Sequence, residues 1–127
     1  MKQPYFMFML ALFPAVFISS CTSVKKDQLI LPRCDTANIS YANDIVPIVR
    51  NYCYSCHSEQ NKVESGGLIL EGHDPLAAWG GGGANSTLIG VISHKPGFIP
   101  MPYLEPKIDS CSINKIVAWV NAGTPDN

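Results

Sequence analysis

The chain has no excess of basic residues over acidic ones. Lysine and arginine together number 9, aspartate and glutamate number 10, and the formal net charge is −1. Because no basic stripe with interleaved aromatic residues is present, the composition argues against nucleic acid as a partner. No internal repeat is evident either, and the part of the chain that follows position 20 is long enough for one domain and a tether.

Long apolar runs and a phosphate-binding loop are also missing. The apolar run near the N-terminus covers only positions 5–18, which is too short for an ordinary membrane-spanning helix. The four glycines at 80–83 are followed by Ala84-Asn85-Ser86 and not by Gly-Lys-Ser/Thr, so they do not form a phosphate-binding loop. They predict a flexible connection instead.

The most informative motif is Cys53-Tyr54-Ser55-Cys56-His57, which has the Cys-x-x-Cys-His spacing of covalent haem attachment. Two intervening residues allow one helical turn to present both sulfur atoms to the two vinyl groups of a porphyrin. The side chain that follows then points at the iron, which makes His57 the predicted proximal ligand. The motif therefore predicts one covalently bound haem c per chain.

Two other kinds of site use paired cysteines. A thioredoxin-like redox pair requires a βαβ context, and a zinc site requires a second Cys or His pair downstream. The residues after His57 are rich in glycine and contain neither a second Cys-x-x-Cys nor a His-x-x-x-His. Both alternatives are consequently weaker than haem.

Apolar residues at helical spacing predict a first helix that leads into the motif and a last helix near the C-terminus. The first begins at Asp44, with Asn43 or Asp44 as its cap. Its apolar positions are Ile45, Ile48, Val49 and Tyr52. The last follows Asp109 as its cap and ends before Gly123. Its apolar positions are Ile113, Ile116, Val117 and Val120.

Two shorter helices are predicted between these. Asp74 and Pro75 have the order of a cap followed by a first-turn proline, which opens a brief helix that Gly80 ends. Asn85 or Ser86 caps a further helix through about Ser93. Its inward-facing residues are Leu88, Ile89 and Ile92.

From about residue 40 to the C-terminus the chain resembles a small class I cytochrome c. An amphipathic helix leads into the Cys-x-x-Cys-His motif, Met101 follows in a loop flanked by prolines, and a helix closes the chain. The resemblance implies an all-α cytochrome c fold, with short helices wrapped around one haem and crossing first and last helices. It also implies axial His and Met ligands and single-electron transfer, not enzymatic catalysis.

The ligand opposite His57 has several candidates. Met101 is the only methionine after residue 20, and the prolines on either side of it restrict the backbone and lower the ordering cost of ligation. Met101 is the preferred ligand, and the resemblance points the same way. His94, His73 and an open sixth position are the alternatives, and Met101 as a core residue is another.

Residues 1–20 have the features of a signal peptide, with Lys2 before the apolar run. Ile18-Ser19-Ser20-Cys21 resembles a bacterial lipobox, which implies that Cys21 is lipidated and that residues 21–33 tether the domain at 34–127. Ordinary cleavage nearby is the alternative. The expected location is the periplasmic side of the cell envelope, where the lipid anchors the protein to the membrane.

The remaining two cysteines are Cys34 and Cys111, an even pair in an exported chain. They predict a disulfide bond that closes the long loop between these two positions and so restricts the unfolded chain. Two free buried thiols are the alternative.

The predicted function is a membrane-anchored carrier of single electrons between a donor and an acceptor protein, and we expect a monomer. A haem-based gas or redox sensor, or a peroxidase, is the alternative, and each needs an open or labile sixth position. Peroxidase chemistry also needs a distal acid or base, for which His73 and His94 are the candidates.

Overall fold

The computed structural model describes residues 34–127. The predicted signal peptide at 1–20, the predicted lipidation site Cys21 and the predicted tether at 21–33 lie outside the described residues. Within residues 34–127 all regular structure is helical, in agreement with the expected all-α class. No helix in this part of the chain combines the length and the hydropathy needed to cross a bilayer.

The first helix begins earlier than predicted. A π-helical turn over Tyr41–Ile45 runs directly into helix α1 (Val46–Tyr52). The cap is Ser40 and neither Asn43 nor Asp44, because the Ser40 hydroxyl accepts the backbone N–H of Asn43 (3.2 Å) while a carboxylate oxygen of Asp44 accepts the N–H of Ser40 (3.0 Å). This reciprocal pair resembles a capping box, which explains why the helix starts after Ser40.

Three short helices follow α1. Helix α2 (Tyr54–His57) contains most of the Cys-x-x-Cys-His motif, and an irregular segment then leads to helix α3 (His73–Gly80). Helix α3 begins one residue before the predicted cap Asp74, after Gly72, whose φ of 97° suits glycine. Helix α4 (Thr87–Ile92) confirms the predicted cap, because the Ser86 hydroxyl accepts the N–H of Ile89 (3.3 Å).

Helix α5 (Ser110–Asn121) matches its prediction closely. The carboxylate of Asp109 accepts the N–H of Ser112 (2.9 Å), and Gly123 follows the end with a φ of 90°. Helix α5 packs against the π-helical turn, and Lys115 donates to the carboxylate of Asp44 across this contact (2.6 Å). The first and last helical segments are therefore in contact, while the expected crossing of the two helices stays a prediction.

The core between these helices consists mainly of apolar side chains that are almost fully buried. Trp119 and Ile45 are fully buried, and Trp119 is stacked on Tyr41 with ring centroids 5.8 Å apart. The indole N–H of Trp119 donates to the carbonyl of Pro125 (2.9 Å), so its polar atom is satisfied as well. Other buried members are Val49, Leu70, Leu76, Leu88, Ile89, Ile92, Ile108, Ile116 and Val120.

Cys34 and Cys111 lie at disulfide-bonding distance, with their Cα atoms 5.4 Å apart. Cys111 is in the first turn of α5, so the bond joins this helix to the segment that precedes the first helix. The covalent link reinforces the contact that α5 makes with the π-helical turn.

His73 connects α3 to the C-terminal segment. Its Nε2 is hydrogen-bonded to the carbonyl of Thr124 (2.8 Å) and its Nδ1 to the carboxylate of Asp74 (3.1 Å), while its ring packs edge-on against Tyr41. The hydrogen bond to Thr124 and the Asp74 carboxylate raise the pKa of His73 above its ordinary value. The charged imidazolium donates at both nitrogens, whereas the neutral ring can donate at only one.

Removing the disulfide should destabilise the protein. Because the two cysteines are separated by 77 positions in the sequence, the double replacement Cys34→Ser and Cys111→Ser is expected to lower the free energy of unfolding by roughly 4 kcal/mol. Urea unfolding of the full chain measures this, with reduced wild type as the control. Two alkylatable thiols from this pair in unreduced, denatured wild type would contradict the bond.

The replacement His73→Gln should remove a pH dependence of stability. Because the folded-state pKa of His73 is raised, its stabilising effect is complete below the unfolded pKa of about 6.5 and is lost as the pH rises through the folded value. Glutamine does not titrate. The difference in melting temperature between wild type and variant is therefore expected to be larger at about pH 5.5 than at about pH 9. An equal difference at both pH values would be the contrary result.

Candidate cofactor site

A cavity of about 910 Å³ lies between the motif, helix α4 and residues 95–101, which we call the Met101 segment. Its size is within the range of roughly 300–1,000 Å³ that is usual for ligand pockets. Most of the side chains that line it are apolar, so the cavity suits a largely apolar ligand. The apolar lining includes Ile48, Val49, Leu68, Leu70, Leu88, Ile92 and Ile116.

The structure brings four predicted site residues to this one cavity. Cys53, Cys56, His57 and Met101 all line it. Cys53 stands between α1 and α2, and its carbonyl accepts the backbone N–H groups of Cys56 (3.1 Å) and His57 (2.8 Å). The motif therefore forms one helical turn with both thiols and the imidazole at the cavity wall.

The imidazole of His57 is oriented by the chain that follows it. Nδ1 of His57 lies 3.2 Å from the carbonyl oxygen of Leu68, which can only accept, so Nδ1 carries the hydrogen. The Ser65 hydroxyl also donates to this oxygen (2.6 Å), and the N–H of Leu70 donates to the carbonyl of His57 (2.8 Å). In the neutral ring Nε2 then keeps its lone pair, which is the arrangement that metal-binding histidines commonly show.

The Cys53 thiol is half-buried, and this burial raises its pKa to about 11. An unmodified thiol with that pKa stays protonated near neutral pH, whereas catalytic redox cysteines have lowered pKa values. The βαβ context of a redox pair is also missing, since residues 34–127 contain no strand. These two observations weaken the thioredoxin-like alternative.

A zinc site has no support in the described part of the chain. Among residues 34–127 no three His, Cys, Asp or Glu side chains are grouped so that they could hold a metal ion. Structural zinc usually needs four such ligands.

The three candidates for the sixth ligand differ in position. Met101 lines the cavity, whereas His73 and His94 do not. Both ring nitrogens of His73 are hydrogen-bonded, to the carboxylate of Asp74 and the carbonyl of Thr124. Nε2 of His94 is hydrogen-bonded to the carbonyl of Met101 (3.1 Å). This geometry favours Met101 over both histidines.

Helix α4 and the segment around Met101 fit closely because position 90 has no side chain. A Cβ atom at Gly90 would lie 2.6 Å from Cζ of Phe98, which also lines the cavity. The N–H of Met101 donates to the carbonyl of Val91 (3.0 Å) one residue further along α4. Gly90 thus allows the Met101 segment to lie directly on the helix.

One wall of the cavity reaches the surface of the domain. Ile99 and Tyr103 both line it and are each 63% exposed. Two carboxylates, Glu64 and Glu105, also belong to the lining, and no lysine or arginine of the described residues does. Among Asp, Glu, Lys and Arg, the lining of the cavity thus contains only carboxylates.

Several residues of the site carry no clear sequence signal. The carbonyls of Leu68 and Val91 orient His57 and Met101, but a backbone group has no signature in the residue type. Gly90 does carry a sequence signal, because a glycine between the apolar residues of a helix indicates close packing. His94, one of the alternatives for the sixth ligand, has its Nε2 hydrogen-bonded to the backbone carbonyl of Met101.

The replacement Gly90→Ala should have opposite effects in two backgrounds. In wild type the new methyl group collides with Phe98, and overpacking of this kind typically costs about 1–3 kcal/mol. In the Phe98→Ala background the collision is gone, and the higher helix propensity of alanine should stabilise the protein by up to about 1 kcal/mol. Urea unfolding of the four proteins forms a double-mutant cycle, and equal effects in both backgrounds would refute the close fit.

Comparisons with protein-family models, curated proteins and solved structures give no match to this chain. The resemblance to class I cytochromes c thus depends on the motif at 53–57, on Met101 and on the helical pattern. Any functional conclusion has to come from the geometry of the cavity and the chemistry of the residues that line it.

Proposed function

We propose that residues 34–127 form a monohaem c-type cytochrome with a cytochrome c fold, which carries single electrons between two redox proteins. The observation that carries the proposal is the convergence of Cys53, Cys56, His57 and Met101 on one apolar cavity. Two thiols, an oriented imidazole and a thioether are the groups that hold haem c in a His/Met-ligated site. When bound, the haem would supply a one-electron iron couple.

The residues of the chain have distinct roles in this proposal. Cys53 and Cys56 would hold the haem through thioether bonds, and the Leu68 carbonyl keeps Nε2 of His57 available for the iron. The thioether of Met101 would be the second protein ligand of the iron. Two protein ligands would leave no site for a substrate on the metal, so the chain would transfer electrons without bond-making chemistry.

Electron transfer also needs a cofactor near the surface. The wall with the exposed residues Ile99 and Tyr103 gives a partner protein a short approach to the cavity. The carboxylates of Glu64 and Glu105 stabilise positive charge nearby and so favour oxidised iron, which lowers the reduction potential. His/Met ligation acts in the opposite direction, so the potential reflects both.

The proposed setting is the periplasmic side of the cell envelope. Lipid attached to Cys21, after removal of residues 1–20, would tether the domain by residues 21–33. A tether raises the effective concentration of the domain at membrane-bound donors and acceptors.

Absorption spectra and carbon monoxide binding test the proposal. The full chain, produced with c-type maturation machinery and purified in detergent, is expected to contain one covalent haem. Its oxidised form should show the Met-to-iron charge-transfer band, and its reduced form should not bind carbon monoxide. The replacement Met101→Leu keeps the side-chain volume but removes the sulfur, so it should abolish the band and allow carbon monoxide to bind.

The matched control is Leu104→Ala, three residues after Met101 at an exposed position outside the cavity lining, which should leave both readouts unchanged. A chain without covalent haem would overturn the proposal as a whole. Wild type that binds carbon monoxide would instead support the sensor or peroxidase alternative.

A further inference from the structure

The backbone of Met101 is held at both of its polar atoms. Its N–H donates to the carbonyl of Val91 (3.0 Å), in helix α4, and its carbonyl accepts from Nε2 of His94 (3.1 Å). Of these two hydrogen bonds, only the one from His94 comes from a side chain. Replacing His94 by a residue without a donor would therefore remove one of the two hydrogen bonds that hold the Met101 backbone.

The backbone of His94 itself has an unusual conformation. Its φ is +53°, in the left-handed region that favours glycine. It follows Ser93, the residue that ends α4, at the point where the chain turns toward the Met101 segment. Glycine would adopt this turn at lower cost but would supply no side-chain donor to the Met101 carbonyl.

The hydrogen bond also fixes how the ring is used. A carbonyl oxygen can only accept, so Nε2 of His94 carries the hydrogen and is not free to bind iron. His94 does not line the cavity, whereas Met101 does. The ring therefore acts on the segment and not on a ligand in the cavity.

We propose that His94 is a positioning residue for the sixth ligand: its imidazole N–H anchors the Met101 carbonyl and so holds the thioether at the haem iron. This inference rests on the proposed function, in which Met101 is an axial ligand. A thioether that is held in place loses less conformational entropy on binding. The hydrogen bond from His94 therefore increases the fraction of protein in which Met101 is bound to the iron, a state that we call a closed iron. Without this hydrogen bond, Met101 leaves the iron more often and external ligands enter.

Two replacements separate the hydrogen bond from the backbone conformation. His94→Gln places an amide N–H near the position of Nε2 and can restore the bond. His94→Asn tolerates a positive φ well, but its amide reaches only about as far as Nδ1 and cannot contact the Met101 carbonyl.

The readouts are the Met-to-iron charge-transfer band of the oxidised full chain and the carbon monoxide affinity of its reduced form. His94→Asn is expected to weaken the band and raise the affinity about tenfold, the size of effect that one lost hydrogen bond gives. His94→Gln is expected to remain close to wild type. A merely structural role would lower the melting temperature in both variants and leave the closed iron of each unchanged.

The outcomes distinguish failure of this inference from failure of the proposed function. A closed iron in wild type and in both variants overturns the role of His94 and leaves the cytochrome intact, as do equal effects of the two replacements. An open iron in wild type overturns Met101 as the ligand, and the role of His94 with it. If His94→Asn does not fold, His94→Gly replaces it, since glycine accepts the positive φ and lacks the donor.

A measurement on unmodified protein gives a second test. Nitrogen-15 NMR of histidine-labelled, reduced wild type should show the Nε2–H tautomer of His94, with slow exchange of that hydrogen. The Nδ1–H tautomer would overturn the anchor, whatever the variants show.

Discussion

Packing of helix α5 against the first helical segment fixes the side of the cavity that carries the motif. Trp119 and Ile45 are fully buried where the two meet, and Ile116, on the same helix as Trp119, is almost fully buried and also lines the cavity. The first segment continues directly into the motif at 53–57, so any shift of α5 would move the thiols and His57 as well. The ion pair between Lys115 and Asp44 and the link between Cys34 and Cys111 act on the same contact. The ion pair and the disulfide are thus both long-range links close to the segment that leads to the motif.

The opposite side of the cavity is built in another way. Helix α4 is short, and it supports the Met101 segment through local features: the missing side chain at Gly90, the carbonyl of Val91 and the imidazole of His94. All three of these partners lie close to Met101 in the sequence. The His57 side of the proposed haem site therefore depends on contacts between residues that are far apart in the sequence. The Met101 side depends on contacts between residues that are close in the sequence.

This difference explains what could be predicted from the sequence. The caps Ser86 and Asp109 and the apolar stripes they precede follow local rules, and the structure confirms them. The start of the first helix was missed because Ser40 pairs with Asp44 four residues on, in a π-helical turn, while a capping box has a spacing of three. The motif was visible from its spacing alone. The carbonyls that orient His57 and Met101 were not, because tertiary packing selects them and their side chains carry no sign of it.

The local character of the Met101 segment has a consequence for how the domain opens. Proteins open in cooperative units, and a unit whose hydrogen bonds are mostly internal can separate from the remainder at a lower free energy than global unfolding. The backbone hydrogen bonds of residues 94–101 end within α4 or within the segment, while the His57 side is joined to the core through α1 and α5. The segment thus has the features of a unit that can open while the disulfide and the Trp119 core stay folded, and such opening would expose one face of the cavity. On this basis, we expect the Met101 side of the cavity to open at a lower free energy than the side that carries the motif.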